Sequence, residues 1–304
     1  MSSRCDAFRD SGNNVGFIHP FKAGGTSFRM TLNAQAAKAH KKLAPEHGAL
    51  ASMCTGKTLT ECRKQLAPCE VLEMPTYAFA SEALYWNNGT TLWLTMLREP
   101  SARLESMFRY HGGKGAEYVK TVKARNGSLQ EEFERMLTQP EDLHVPFLLA
   151  PPSLWIDAYG ADEPWLTRTP SNATTNSTGG NIHVRPKMHL AATSSATLSE
   201  AQFARLADFI ASRFAVTGVL ERISDTLEVM RCRVPWFRTK VLPKVEETAQ
   251  HWQYPVRLER RDALIQAHAA TELRLYALAN QLLDADLECC RRSRGTRANH
   301  TNHT

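Results

Sequence analysis

The stretch from Val15 to Met30, VGFIHPFKAGGTSFRM, constrains this chain more than any other. An apolar run (Val15, Phe17, Ile18) meets a small-residue turn, Ala23-Gly24-Gly25-Thr26-Ser27, preceded by one lysine, Lys22. An Ala-rich, helix-favouring segment then runs from Phe28 toward Lys42. Strand, glycine turn and helix together form a seat for an anion. Backbone N–H groups converge in the turn, and the helix N-terminus adds partial positive charge. Glycine lets the backbone approach the anion and take positive φ without a Cβ penalty. In isolation the same pattern also describes an ordinary turn, so the weight falls on the rest of the chain.

A second element of the same kind lies further on. Thr91-Leu92-Trp93-Leu94-Thr95-Met96-Leu97 is nearly continuous in apolar character, as a strand buried on both faces of a parallel sheet reads. It ends at Arg98-Glu99-Pro100, after which Leu104, Met107 and Phe108 mark a helix. The C-terminal ends of such strands are the usual ligand edge of an open α/β sheet. Val71 to Met74 reads as a short strand interrupted by Glu73. Ser128 to Leu137 reads as a helix with Ser128 and Glu131 forming a capping box. The helix Ser199 to Phe214, the strand Ala215 to Val219, the helix Ser224 to Cys232 and a long helix from Arg260 to Leu287 complete the pattern. Leu43 to Pro68 reads as a loop-rich excursion. It contains Cys54-Thr55-Gly56-Lys57-Thr58, which imitates the end of a Walker A loop but has Ala51 where that loop needs its first glycine.

With 42% hydrophobic and 22% charged residues over 304 positions, the chain can build a substantial core, as one large domain or two small ones. A net charge of +6 favours anionic partners, although part of the excess sits in Arg291 to Arg297, expected to be a solvated, disordered end. No apolar run is long enough to span a bilayer, and the first residues show no signal-peptide core. Glycosylation sequons at Asn88, Asn126, Asn172, Asn176, Asn299 and Asn302 point instead toward a secretory compartment. The seven cysteines lack metal-ligand spacing in the cluster Cys54, Cys62 and Cys69, so disulfides or buried thiols are expected there, with at least one thiol left over.

The two turns match a known pair in order and placement. FIHPFKAGGTSF resembles the 5′-phosphosulfate loop of sulfotransferases that use 3′-phosphoadenosine 5′-phosphosulfate (PAPS). Arg98-Glu99-Pro100-Ser101-Ala102-Arg103-Leu104-Glu105-Ser106 resembles their 3′-phosphate motif, R-D-P-x-x-R-x-x-S. Phe214 to Arg222 is similar to the family's F-x-V-x-G-x-T-E-R strand, and Thr271 to Ala277 to its late LYxxA helix. The resemblance is to carbohydrate O-sulfotransferases of the heparan sulfate 2-O- and chondroitin type. It implies a P-loop-type three-layer α/β fold, a central parallel sheet flanked by helices, over residues 15–288. A long irregular insertion would occupy about 140–190, a flexible N-terminus 1–14 and a basic tail 289–304.

The same resemblance implies PAPS as co-substrate, no metal, a glycan acceptor, no nucleic acid and a Golgi lumenal setting. A cytoplasmic setting is the alternative, and membrane association would need a segment outside this sequence. The donor would be held by Lys22, Ala23, Gly24, Gly25, Thr26 and Ser27 at its 5′ end, and by Arg98 and Ser106 at its 3′-phosphate. Lys22 would also stabilise charge developing on the leaving phosphate. Arg103 is read equally as an exposed residue pairing with Glu99 one turn away.

The acceptor hydroxyl must lose a proton, which calls for a nearby His or carboxylate. Relatives of the 2-O type carry a histidine on the strand between the two motifs. Here that strand is Val71-Leu72-Glu73-Met74, so Glu73 is the expected base and His19 the second candidate. His111 is expected to meet acceptor. Trp155, Trp165, Arg168, His183, Arg185 and Lys187 could stack on sugars and neutralise uronates, or belong to a glycosylated loop. Two departures stand out: Pro20-Phe21-Lys22 replaces Ile-Pro-Lys, and Glu99 replaces aspartate. The rival classes are a catalytically impaired nucleotide- or glycan-binding relative, and a P-loop kinase. The kinase requires lysine after the second glycine, whereas Lys22 precedes both.

Overall fold

A computed structural model describes residues 4–5, 14–20, 22–45, 59–74, 91–113, 198–243 and 269–301, with single positions at 128, 131, 149, 263, 265 and 266. Strand β1 (Asn14–Ile18) leads into helix α1 (Gly25–Lys38); helix α2 (Leu59–Leu66) precedes strand β2 (Val71–Met74). Strand β3 (Thr91–Leu97) leads into helix α3 (Pro100–Gly113). Helix α4 (Glu200–Arg213) runs directly into strand β4 (Phe214–Val219). A 3₁₀ turn (Leu220–Arg222), helix α5 (Ile223–Arg233) and helix α6 (Ala270–Thr301) follow.

The four strands form one parallel sheet in the order β2-β1-β3-β4. Parallel neighbours cannot be joined by tight hairpins, so each connection crosses over the sheet and all four C-terminal ends emerge at one edge. That edge carries both turns singled out from the sequence. Every residue of β3 and of β4 is buried, which explains their uninterrupted apolar character. Phe17 of β1 packs against Phe28 of α1 with ring centroids 4.7 Å apart, and Phe28 meets Phe237 at 6.4 Å. Leu206 and Ile210 of α4, Met230 of α5 and Leu275, Ala279 and Leu283 of α6 belong to the same core.

Local signals explain most boundaries. Ser199 caps α4 in a reciprocal box with Gln202, and Ser128 and Glu131 exchange the two capping hydrogen bonds expected of them. The region 43–68 departs from the loop expectation, since α2 occupies its last third. Residues 42–44 also run beside β2, with Ala44 N–H donating to the Val71 carbonyl at 2.8 Å.

The largest departure is at the chain's two ends. The helix expected to stop at Leu287 carries through to Thr301, where a disordered tail from 289 is expected. Tertiary bonds hold this segment: disulfides join Cys5 to Cys289 and Cys232 to Cys290. Asp286, fully buried, accepts from Arg4 Nε and Nη2 at 3.0 and 2.9 Å and from Arg233 Nη2 at 3.0 Å. Arg4 and Cys5 are therefore anchored parts of the fold, although they lie in the stretch expected to be flexible. Two cations around one carboxylate satisfy a charge that would otherwise be costly to bury. Cys69 is a buried thiol directed at the Leu43 carbonyl, 3.8 Å away, and burial raises its pKa. The irregular stretch 140–190 apart from Leu149, the side chains of His111, Cys54 and Cys62, and the sequon asparagines apart from the helical backbone at Asn299 lie outside the described residues.

Candidate functional site

The site is built at the C-terminal edge of β1, β2, β3 and β4. Beyond Ile18, His19 stays in register with β2, its N–H donating to the Met74 carbonyl at 3.0 Å. The chain then turns through Pro20 to Gly24. Lys22 has φ 62° and Gly24 has φ 75°, both in the left-handed region. For Gly24 that conformation is inexpensive; for Lys22 it is a local strain of about 1 kcal/mol or more. Ala23 is fully buried and its N–H reaches the Pro20 carbonyl at 3.4 Å. Helix α1 begins at Gly25 behind an N-cap, Gly24, that has no side chain with which to cap the N–H groups of the first turn. Thr26 and Ser27 sit half-buried in that turn.

His19 and Glu73 are hydrogen-bonded to each other, Nδ1 to Oε1 at 2.8 Å. The sequence offers them as alternatives; the parallel pairing of β1 with β2 makes them one unit, because it brings Glu73 opposite Phe17 two residues before His19. Arg29, one turn into α1, stands 3.5 Å from the other Glu73 oxygen. The His19 ring lies so close over Gly25 that any Cβ there would collide with it. Glycine at 25 is thus required by the histidine ring packed against it.

The second turn is built differently. Glu99 caps α3 with its own carboxylate, accepting from the N–H groups of Ser101 at 3.0 Å and Ala102 at 2.7 Å and from the Ser101 hydroxyl. The donors of this helix N-terminus are therefore already engaged. Arg98 stands beside it: its Nη1 donates to the Lys22 carbonyl at 3.3 Å, tying the second turn to the first. Its Nε is 3.9 Å from Glu221 and makes no hydrogen bond among the described residues. Ser106 is half-buried on α3, two turns beyond Arg98.

Arg103 is not the exposed partner of Glu99 considered from the sequence. It is 4% exposed and binds Glu272 of α6 through Nη2 at 2.9 Å to both oxygens and through Nε at 3.3 Å. The reason is tertiary: α6 lies over α3, and a buried guanidinium must take a buried carboxylate. A small crevice between Pro20, Ala23, Arg98, Pro100, Leu275 and Tyr276 separates the two turns.

Sequence reasoning assigned no role to Arg29, Leu220, Glu221 or Tyr276. Glu221 accepts from the Glu99 N–H and from the Tyr276 hydroxyl, each at 3.2 Å. Burial and the negative charges of Glu221 and Glu99 raise the Tyr276 pKa, so its hydroxyl remains a donor through the neutral range. Both residues fall within the stretches resembling the E-R strand and the LYxxA helix, so the signal was present without a chemical meaning attached. Among the described residues no group of three or more His, Cys, Asp or Glu side chains could hold a metal ion, and no helix is long and apolar enough to cross a membrane.

The fold and site define an α/β protein with a four-stranded parallel sheet and two strand-to-helix turns facing one edge. The chain matches no family model, no curated protein and no solved structure.

Proposed function

We propose that the protein is a PAPS-dependent sulfotransferase of P-loop-type three-layer architecture acting on a hydroxyl of a carbohydrate. The observation that carries this reading is the direct bond between the two turns, Arg98 Nη1 to the Lys22 carbonyl at 3.3 Å. An uncapped glycine turn and an arginine within one bond of it suit a ligand with anions at both ends of a nucleoside. In the reaction, the acceptor hydroxyl oxygen bonds to sulfur as the bond from sulfur to the 5′-phosphate oxygen breaks. Adenosine 3′,5′-bisphosphate leaves, and the hydroxyl proton passes to the protein. Charge growing on the leaving phosphate is met by Lys22, the Gly24 to Ser27 backbone and the Thr26 and Ser27 hydroxyls. Arg98 and Ser106 take the 3′-phosphate.

The proton goes to the His19–Glu73 pair. With Glu73 ionised, Nδ1 carries the hydrogen of the 2.8 Å bond, leaving Nε2 as the basic nitrogen. This is the orienting-carboxylate logic by which a histidine becomes an effective base. The two disulfides among the described residues support a lumenal, oxidising compartment.

Two measurements test the reading. Adenosine 3′,5′-bisphosphate should raise the melting temperature while ATP with Mg²⁺ does not; the reverse would replace the sulfotransferase with a kinase. Transfer of radiolabelled sulfate from PAPS to a panel of glycans should then be detected. Tight bisphosphate binding without transfer to any of them would make the protein a binder.

A further inference from the structure

The turn after β4 touches both anion-binding turns at once. A Cβ on Gly24 would lie 2.5 Å from Leu220 Cδ1, so the Leu220 side chain is wedged directly under the first turn. The next residue, Glu221, reaches the second turn, where it takes the Glu99 N–H at 3.2 Å and stands 3.9 Å from Arg98 Nε. Its other oxygen is held at 3.2 Å by the hydroxyl of Tyr276, which projects from α6. Two adjacent residues of one short 3₁₀ turn thereby brace two loops that belong to different strands.

We propose that Leu220 and Glu221 form a ruler that sets the separation between the Gly24–Gly25 backbone and the Arg98 guanidinium, and so determines preference for nucleotides carrying anions at both the 3′ and 5′ positions. This rests on the nucleotide reading above and assigns its specificity to residues outside both motifs. The chemistry of Glu221 suits the task. Its two oxygens accept from two neutral donors, one on each side, which fixes the carboxylate. At 3.9 Å the carboxylate attracts the guanidinium without consuming a donor by a close hydrogen bond, leaving Arg98 oriented for a phosphate. Glu221 is a positioning residue, since it acts through Arg98 and Glu99.

The test is calorimetric titration of the full chain with adenosine 3′,5′-bisphosphate and with adenosine 5′-monophosphate, scored as the ratio of the two dissociation constants. Glu221→Ala should lower the bisphosphate preference about tenfold and leave monophosphate binding within about twofold, the size expected for losing hydrogen bonds that place a charged group. Glu221→Gln keeps an acceptor for Glu99 and a partner for Tyr276 and should retain most of the ratio. Tyr276→Phe should lower it about threefold, and decides the matter if Glu221→Ala does not fold. Variants that weaken both nucleotides equally would show a purely structural turn and overturn the inference, as would an unchanged ratio. A wild-type protein that does not discriminate the two nucleotides would overturn the nucleotide reading and the ruler together.

Discussion

The two strand-to-helix turns leave adjacent strands of the same sheet, yet they treat their helix N-termini in opposite ways. At the first, Gly24 has no side chain and α1 begins uncapped. At the second, Glu99 folds back on Ser101 and Ala102 and occupies the start of α3. A helix N-terminus that is capped by a carboxylate has already spent its attraction for an anion on its own chain. At the first turn the N-cap residue supplies no competing side chain, whereas at the second the cap's own carboxylate occupies the helix start and the Arg98 side chain stands beside it. On the sulfotransferase reading proposed above, the difference divides the labour: close approach and main-chain donors where the group would be transferred, and a point of strong charge where the ligand would be gripped.

The largest effect expected is on chemistry at the first turn. Glu73→Gln should reduce sulfate transfer about a hundredfold, because the His19 base loses the carboxylate that orients it, with nucleotide affinity nearly unchanged. Full transfer by this variant would remove the His19–Glu73 pair from the reaction. Next, Arg98→Ala should weaken adenosine 3′,5′-bisphosphate about a hundredfold in calorimetry, because the proposed charged grip on the 3′-phosphate would have no backbone substitute at the second turn. Affinity within a few-fold of wild type would show that the capped helix terminus carries the binding after all.

Gly25→Ala should cost about 1–3 kcal/mol of stability in denaturant unfolding, as the added methyl expels the His19 ring from its place above α1. An unaffected protein with an intact His19–Glu73 bond would mean the close packing of ring on backbone is not required. Glu99→Ala should cost about 1 kcal/mol, a typical capping loss, and by baring the α3 N-terminus should make the second turn resemble the first. Inorganic phosphate binding more tightly to this variant would sharpen the contrast; unchanged or weaker binding would break it.

The smallest effect is at high pH. The Tyr276 pKa is raised above its ordinary value of 10.0, first by burial and then by Glu221. The unfolded chain then ionises first, so the stability contribution is fully present below the ordinary tyrosine pKa and is lost as pH rises through the folded value. Tyr276→Phe should flatten that alkaline decline in melting temperature; an identical decline would assign it to other groups.

Much of this arrangement was legible before any tertiary information. The apolar run Thr91 to Leu97 announces a strand buried on both faces, and it is one. Val71 to Met74 is a strand with Glu73 as its least buried residue. The glycine turn and the start of α1 are also readable, because Gly24 takes a left-handed conformation that favours glycine. Periodicity and turn chemistry act over a few residues, which is why they can be read from a string.

What escaped were interactions between positions far apart in the chain. Arg103 looks like a solvent-facing helix residue until α6 covers it and supplies Glu272, 169 residues away. Arg291 to Arg297 look like a free tail, yet the helix continues through them behind Cys289 and Cys290, held by Cys5 and Cys232. His19 and Glu73 look like competing candidates until β1 and β2 lie side by side in register. The sequence by itself determined the strands, the two turns and the residue types capable of holding anions. Only the tertiary structure decided which of those residues act together, since pairing across the sheet and packing of α6 depend on strand order and long-range burial that no local pattern encodes.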